Sequence, residues 1–394
     1  MSAARTLGLV AALLAMLAAG LWLGGHPAKM PPPLRDVFVD EAAGLSAEAS
    51  ELIEDNYYRE VSGEQLADAS LRGMVRDLRR RHRDRFSEYF SAEELTRFNE
   101  EIEGRFSGIG LSVTGVKEGL RVASVFKRSP AERAGIEVGD TIVSVDGRSI
   151  AGLDSNAATE LIKGPEGTEV TVGVRARKGG KTRRERLVRA QISVPVVSSS
   201  LEEVDGEKLG YVRLASFSEG AHAALYGAVK RLQKRGAQGL VLDLRGNGGG
   251  LLEEAVLTAS VFLPEGETVV TTDSRTQGHA DYETKGGNLP AVPLVVLIDR
   301  GTASAAEILT AALADDAGAE VVGTRSYGKG VFQQEVDLSN GGALKLTVGE
   351  YFTPDGANLA GKGIEPDVAA RDLPATPKVD EAHQRALGVL ATQQ

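Results

Sequence analysis

Pro293-Leu-Val-Val-Leu-Ile298, Asp299-Arg-Gly-Thr-Ala-Ser304 and Ala305-Ala-Glu-Ile-Leu-Thr-Ala-Ala-Leu313 follow one another without a break. The first run reads as an apolar strand, the second as a tight turn ending in a serine, and the third as an alanine-rich helix. A serine at a strand-to-helix turn has an exposed oxygen. The helix start beside it offers unpaired N–H groups and the positive end of a dipole to a developing anion. Ser304 is therefore the candidate nucleophile. It needs a base, and Lys329, in Ser326-Tyr-Gly-Lys-Gly330, stands 25 residues further on. The chain reads as a hydrolase built on a Ser–Lys pair.

A lysine serves as a base only when its pKa falls from about 10.4 toward neutrality, and burial does this by penalising the ammonium form. Gly328 and Gly330 let the backbone pass closely, Tyr327, Val331 and Phe332 are placed to exclude water, and Gln333 is placed to orient the amine. Histidine is the commoner base, and the chain has five. His26, His82 and His383 lie beside the N-terminal apolar segment, in a basic run and in the C-terminal tail. His222 and His279 have no carboxylate at a persuasive position, so a Ser–His–Asp arrangement ranks second. The third component is Asp243-Leu-Arg-Gly-Asn-Gly-Gly-Gly250. It lacks the Gly-Lys-Ser/Thr ending of a phosphate loop. An oxyanion hole is the better reading, with one N–H from Gly249 or Gly250 and the other from Ala305. No metal or organic cofactor is called for.

At 394 residues and 42% apolar content the chain has room for two or three domains with real cores. A net charge of −10 argues against nucleic acid as a partner, and the basic run Arg76 to Arg85 is broken by acids, as on a solvated helix face. The absence of cysteine excludes disulfides, a thiol nucleophile and cysteine metal ligands. Residues 6–25 carry no charge and, at about 1.5 Å per residue, would reach about 30 Å, enough to cross a bilayer. Arg5 precedes this segment and Trp22 lies near its far end. The charge bias puts the remainder outside the cytoplasm. The segment reads as an uncleaved signal anchor, making a single-pass membrane protein with its catalytic part extracytoplasmic. Secretion after signal-peptide cleavage is the rival.

Five blocks follow: the anchor at 1–30, a helical region at 31–103, a β-rich block at 104–193, an α/β block at 194–373 and a polar tail at 374–394. In the second block, Leu45, Ala49, Leu52, Ile53 and Tyr57 recur at helical spacing. In the third, Gly108-Ile-Gly-Leu111, Ser129-Pro-Ala-Glu-Arg-Ala-Gly-Ile136 and Val138-Gly-Asp-Thr-Ile-Val-Ser-Val-Asp-Gly147 resemble a PDZ domain of the bacterial protease type. Gly108, Ile109, Gly110 and Leu111 would then hold a terminal carboxylate on their N–H groups. An extended peptide would add beside strand 110–114, facing helix 156–163.

Taken together, Asp243-Leu-Arg with its glycine loop, Gly301-Thr-Ala-Ser304 with Glu307-Ile308, Gly328-Lys-Gly-x-x-Gln333 and Gly363-Ile-Glu-Pro-Asp367 resemble a carboxyl-terminal processing peptidase over residues 104–370. The resemblance implies a multidomain α/β, β-rich serine peptidase core with an inserted PDZ domain. It makes Ser304 the nucleophile, Lys329 the general base and Gln333 the orienting partner, and gives Asp315 a supporting role. Substrates would be proteins or peptides with free C-termini. A homo-oligomer or an activating adaptor protein is left open as a partner. Ala306, Tyr327 and Gly248 depart from the family pattern, but none removes a catalytic group. The alternative is an extracytoplasmic PDZ adaptor with a retired hydrolase domain.

Overall fold

The computed structural model describes residues 41–177, 179–372 and 379–393, together with positions 13, 14, 16 and 20. Apart from those four positions, the segment 6–25 read as an anchor lies outside the described residues. Among the described residues no helix is long and apolar enough to cross a membrane.

Residues up to 92, with 335–346, form one unit. It holds α1 (Glu41–Asn56), α2 (Gly63–His82) and β1 (Glu88–Phe90), and β1 pairs antiparallel with Ala343–Lys345. Ser62 and Gln65 start α2 with a reciprocal capping box, each side chain accepting the other's backbone N–H. In the basic run, Asp77 pairs with Arg80 at 2.7 Å and with Arg81 at 2.5 Å on an exposed face, as a solvated helix should. Leu45, Leu52, Ile53 and Tyr57 are exposed, so the apolar stripe of α1 is not a buried seam.

The second unit spans 93–334 and 347–394. Its first part is a β-domain entered by α3 (Ala92–Glu103) and bracketed by β2 (Arg105–Gly108) paired with β9 (Ala190–Ser193). Between them runs the sheet β3 (Leu111–Val116), β4 (Gly119–Val125), β5 (Thr141–Val145), β7 (Glu169–Arg175) and β8 (Arg183–Val188), with β6 (Arg148–Ser149) on β5. Two helices complete it: α4 (Pro130–Arg133), capped by Ser129, and α5 (Ser155–Ile162), capped by Asp154. Ile109, Leu120, Val122, Ile142, Ile150 and Val172 fill its core. The edge strand β3 and helix α5 stand on either side of a groove.

The remainder is a six-stranded sheet in the order β10 (Val197–Val204), β11 (Glu207–Leu214), β12 (Gly239–Asp243), β15 (Leu294–Ile298), β16 (Glu320–Gly323) and β19 (Val368–Ala369). All neighbours are parallel except β10 and β11. Every residue of β12 and β15 is buried, because both faces are covered. Leu240, Leu242, Val296 and Ile298 face a core shared with α6 (Ala221–Lys234), α7 (Leu252–Ala259) and α8 (Ala305–Ala317). Val241, Val295 and Leu297 face the other way. A further antiparallel sheet contains β13 (Thr268–Ser274), β14 (Gly278–Glu283) and residues 349–352 of β18 (Ala343–Phe352), with β17 (Val331–Asp337) beside β18.

The expected polar tail at 374–394 is corrected here. Residues Glu381–Ala391 form a helix, α9, whose Ala382, Ala386, Leu387, Val389 and Leu390 are buried against Leu209, Val241, Val295, Leu297 and Val322. The stripe is only five residues among polar neighbours, so average composition hides it, while its three- and four-residue spacing makes one face. Three loops leave the carboxyl ends of β12, β15 and β16, where open parallel sheets place their sites. They are 244–251, 299–304 and 324–330. Because Leu390 is fully buried, Leu390→Ala is expected to lower stability by about 2–5 kcal/mol. Urea unfolding followed by circular dichroism checks this, and an unchanged midpoint would mean that α9 does not cover the sheet.

Candidate active site

Ser304 has φ +57° and ψ −122°, a backbone region that side chains avoid. Such a residue costs about 1–3 kcal/mol and persists only where its surroundings hold it. Here they do. The Thr302 hydroxyl donates to the Leu244 carbonyl at 2.9 Å and accepts the Asp299 N–H at 2.9 Å. The Ala303 N–H donates to the Asn247 carbonyl at 3.0 Å, and the Ser304 N–H to Glu307 Oε2 at 2.9 Å. The half-buried Ser304 side chain thus stands at the start of α8.

Glu307 is fully buried and joins the serine turn to the lysine loop. Its Oε1 accepts the Ser326 hydroxyl at 2.5 Å and the Gly328 N–H at 2.7 Å. Its Oε2 accepts the N–H of Ser304 at 2.9 Å and that of Lys329 at 3.1 Å. The backbone nitrogens of the two candidate catalytic residues therefore lie no further apart than the sum of those last two distances. Sequence reasoning gave Glu307 no such role, although the Ser-x-x-Glu spacing of a capping box was there to see. Four donors fill the usual acceptor sites of one carboxylate. The Tyr351 hydroxyl is buried beside this carboxylate. Burial first, and then the charge of Glu307, push its pKa upward.

The lysine loop is clamped on both sides. The Tyr327 N–H donates to the Thr302 carbonyl at 2.9 Å. On the other flank a Cβ at Gly328 would meet the Gly363 nitrogen at 2.7 Å, and one at Gly330 would meet the Ala360 nitrogen at 2.4 Å. Both glycines have positive φ, so they answer a close approach and a backbone turn at once. Lys329, Val331 and Phe332 are half-buried. Tyr327 is 40% exposed and does not close the site as expected. Gln333, on β17, is half-buried and donates through its amide to the Thr347 hydroxyl at 3.3 Å, which sets the orientation of its side chain.

The glycine loop lies against the serine turn. Gly246 N–H donates to Asp299 Oδ1 at 2.8 Å, and the buried Asn247 amide donates to the Leu214 carbonyl at 2.9 Å. The Gly249 N–H is committed to Asn247 Oδ1 at 2.9 Å. Gly249 is thereby removed from the expected oxyanion donors. Its role is one of space, since a Cβ there would meet the Ser304 Cβ at 2.8 Å and the Ala305 nitrogen at 3.0 Å. Gly250 forms a bridge with Phe217 that uses the Gly249 carbonyl and the Leu251 N–H, leaving its own N–H outside that pairing. Among the described residues the N–H groups of Gly250 and Ala305 have no acceptor.

Asp315 is not brought to this site. It lies three helical turns beyond Ser304 and is exposed. Partial desolvation, followed by the charges of Asp355 and Asp316, raises its pKa. Both histidines set aside for want of a carboxylate do have one: Glu254 Oε2 lies 2.9 Å from His222 Nδ1, while Asp273 and Asp281 bracket the ring of exposed His279 at 2.8 and 3.0 Å. Neither is bonded to a serine hydroxyl. Glu254 also accepts the Gly220 and His222 N–H groups at the start of α6, which is a capping role.

In the β-domain, Gly108, Ile109, Gly110 and Leu111 line a cavity of about 670 Å³, together with Phe126 and Ile162. The carbonyls of Ile109 and Gly110 accept N–H groups of Ala131 and Phe126, at 2.9 and 3.0 Å. The N–H groups of Ile109 and Gly110 have no acceptor among the described residues, as a carboxylate cradle requires.

Comparison with known proteins agrees with this geometry. A family model described as peptidase family S41 matches residues 208–370, and a PDZ domain model matches residues 121–176. The carboxy-terminal processing protease CtpA of Bacillus subtilis (strain 168) is 35% identical over 326 residues, which is 83% of this chain and 68% of that protein. CtpB of the same organism is 34% identical over 333 residues, 84% of this chain and 68% of that one. Among solved structures, a photosystem II D1 C-terminal processing protease superposes with a TM-score of 0.50 at 30% identity. That match covers 89% of this chain and 97% of that one. With Ser304 strained at the helix start, the glycine loop against it and a peptide-type groove in the same unit, the chain belongs to peptidase family S41, among the serine-type carboxy-terminal processing proteases.

Proposed function

We propose that Ser304 is the nucleophile and Lys329 the general base of a peptidase that captures the C-termini of exported or membrane-associated proteins in its PDZ groove and cleaves the chain near that end. The observation carrying this reading is the shared carboxylate of Glu307, which holds the N–H groups of both residues while Ser304 bears backbone strain. A retired scaffold would have no use for that strain.

In this reading the carboxylate of a tail is held by the Gly108–Leu111 loop, and the tail adds as a strand to β3. The uncharged Lys329 amine closes on the Ser304 hydroxyl and takes its proton as the oxygen bonds to the carbonyl carbon. Apo geometry at such pairs is commonly long and tightens with substrate. The oxyanion accepts the N–H groups of Gly250 and Ala305. Lys329, now an ammonium, gives its proton to the leaving amine, and water then hydrolyses the serine ester with Lys329 again as base. Gln333 orients the amine. The apolar segment 6–25 supports anchoring with the catalytic part outside the cytoplasm, or secretion if the segment is cleaved.

Ser304→Ala is expected to abolish degradation of casein, and equal degradation by both forms would remove Ser304 as nucleophile. Lys329→Arg is expected to be nearly inactive, since a guanidinium keeps its proton in this range. Turnover near that of the wild type would exclude the lysine base. Glu307→Gln replaces one acceptor oxygen with a donor facing N–H groups, at a cost of about 1–3 kcal/mol for each unmet partner. It should lower both the melting temperature and kcat. A variant that keeps full turnover would show that Glu307 does not align the site.

A further inference from the structure

Arg245 is the residue before the glycine loop, and it is gripped from two directions. Behind it, the fully buried Asp243 accepts Nη2 at 2.7 Å, Nε at 3.1 Å and the Arg245 N–H at 2.9 Å. Ahead of it, Asp380 at the start of α9 takes Nη1 on one oxygen and Nη2 on the other, both at 2.8 Å. Asp372 adds a longer pairing with Nη1 at 3.5 Å. The Arg245 side chain is only 12% exposed. Asp380 and Asp372 also accept the N–H groups of His383 and Ala382, so both carboxylates are set by the first turn of α9.

These contacts stretch the glycine loop between two supports. On one side, Gly246 and Asn247 are tied to the serine turn through Asp299 and Ala303. On the other, Arg245 is tied to a helix on the opposite face of the sheet. A loop with glycine at 246, 248, 249 and 250 has little stiffness of its own. Docking of α9 needs no ionic clamp, because its buried apolar stripe already supplies that. The two-oxygen grip on a planar guanidinium instead fixes a direction as well as a distance.

We infer that Asp380, with Asp372, is a positioning residue for the reaction: through Arg245 the C-terminal helix holds the glycine loop where the Gly250 N–H meets the oxyanion. The inference rests on the assignment of Ser304 and Gly250 above. Its class of effect is preorganisation of an oxyanion donor, in which small displacements are costly.

The test uses the full chain in five forms: wild type, Asp380→Ala, Asp380→Glu, the double variant Asp372→Ala with Asp380→Ala, and Leu390→Ala. Two rates are measured well below each melting temperature: cleavage of a peptide with an apolar free C-terminus, and labelling of Ser304 by a fluorophosphonate, whose phosphoryl oxygen occupies the oxyanion position. The double variant should lose about tenfold or more in kcat and in labelling rate, with KM unchanged. Asp380→Glu should recover part of that loss. Leu390→Ala, which loosens the same helix without touching a carboxylate, should melt earlier yet keep its kcat. The inference fails if the double variant keeps its labelling rate, or if Leu390→Ala loses as much kcat as the double variant. A wild type labelled at some residue other than Ser304 would overturn the nucleophile assignment itself, and that result is distinct from either failure.

Discussion

The fully buried carboxylate of Glu307 accepts four hydrogen bonds, from donors in two segments that are far apart in sequence. Removing such an acceptor strands buried donors, so the two segments are coupled more tightly than their exposed residues suggest. The arrangement couples a local need, restraint of a strained serine, to a long-range one, delivery of the lysine loop. The same oxygen that restrains the Ser304 N–H binds the Lys329 N–H, so the two positions share one tether.

Around that carboxylate the site is made by strand ends. The loops after β12, β15 and β16 meet because parallel strands in register bring their carboxyl ends to one edge. Asn247 and Thr302 then join the first two loops through buried polar contacts, and the Thr302 carbonyl joins the second to the third. Each bond satisfies a backbone group that would otherwise be buried unpaired. Glycine is required where loops touch. At Gly249 any side chain would strike the serine turn, and at Gly330 the 358–361 segment.

The C-terminal helix shows the same economy from the other face of the sheet. Its apolar stripe completes the cover that makes β12 and β15 wholly buried, and its first turn supplies carboxylates to Arg245. An Asp-Leu-Arg sequence leading into glycines is therefore more than the start of a loop, since the aspartate and the arginine form one ionic unit across the sheet edge.

Much of this was legible in the residues. Apolar runs marked β12 and β15, the serine at a strand-to-helix turn marked the candidate nucleophile, and the glycine-flanked lysine marked its candidate partner. The PDZ elements were legible from their turn and cap residues. These signals are local, because periodicity, caps and turn chemistry act over a few residues. What the sequence could not give was which atoms meet. It left open whether the Gly249 N–H faces substrate or Asn247, whether Asp315 reaches the site from three turns along a helix, and whether a polar tail hides a buried stripe. It also left His222 without the carboxylate that stands 32 positions away in sequence. Sequence by itself determined the kinds of group present and the order in which they come. Only the tertiary structure decided their partners, because a buried hydrogen bond depends on distances between segments that chain spacing does not record.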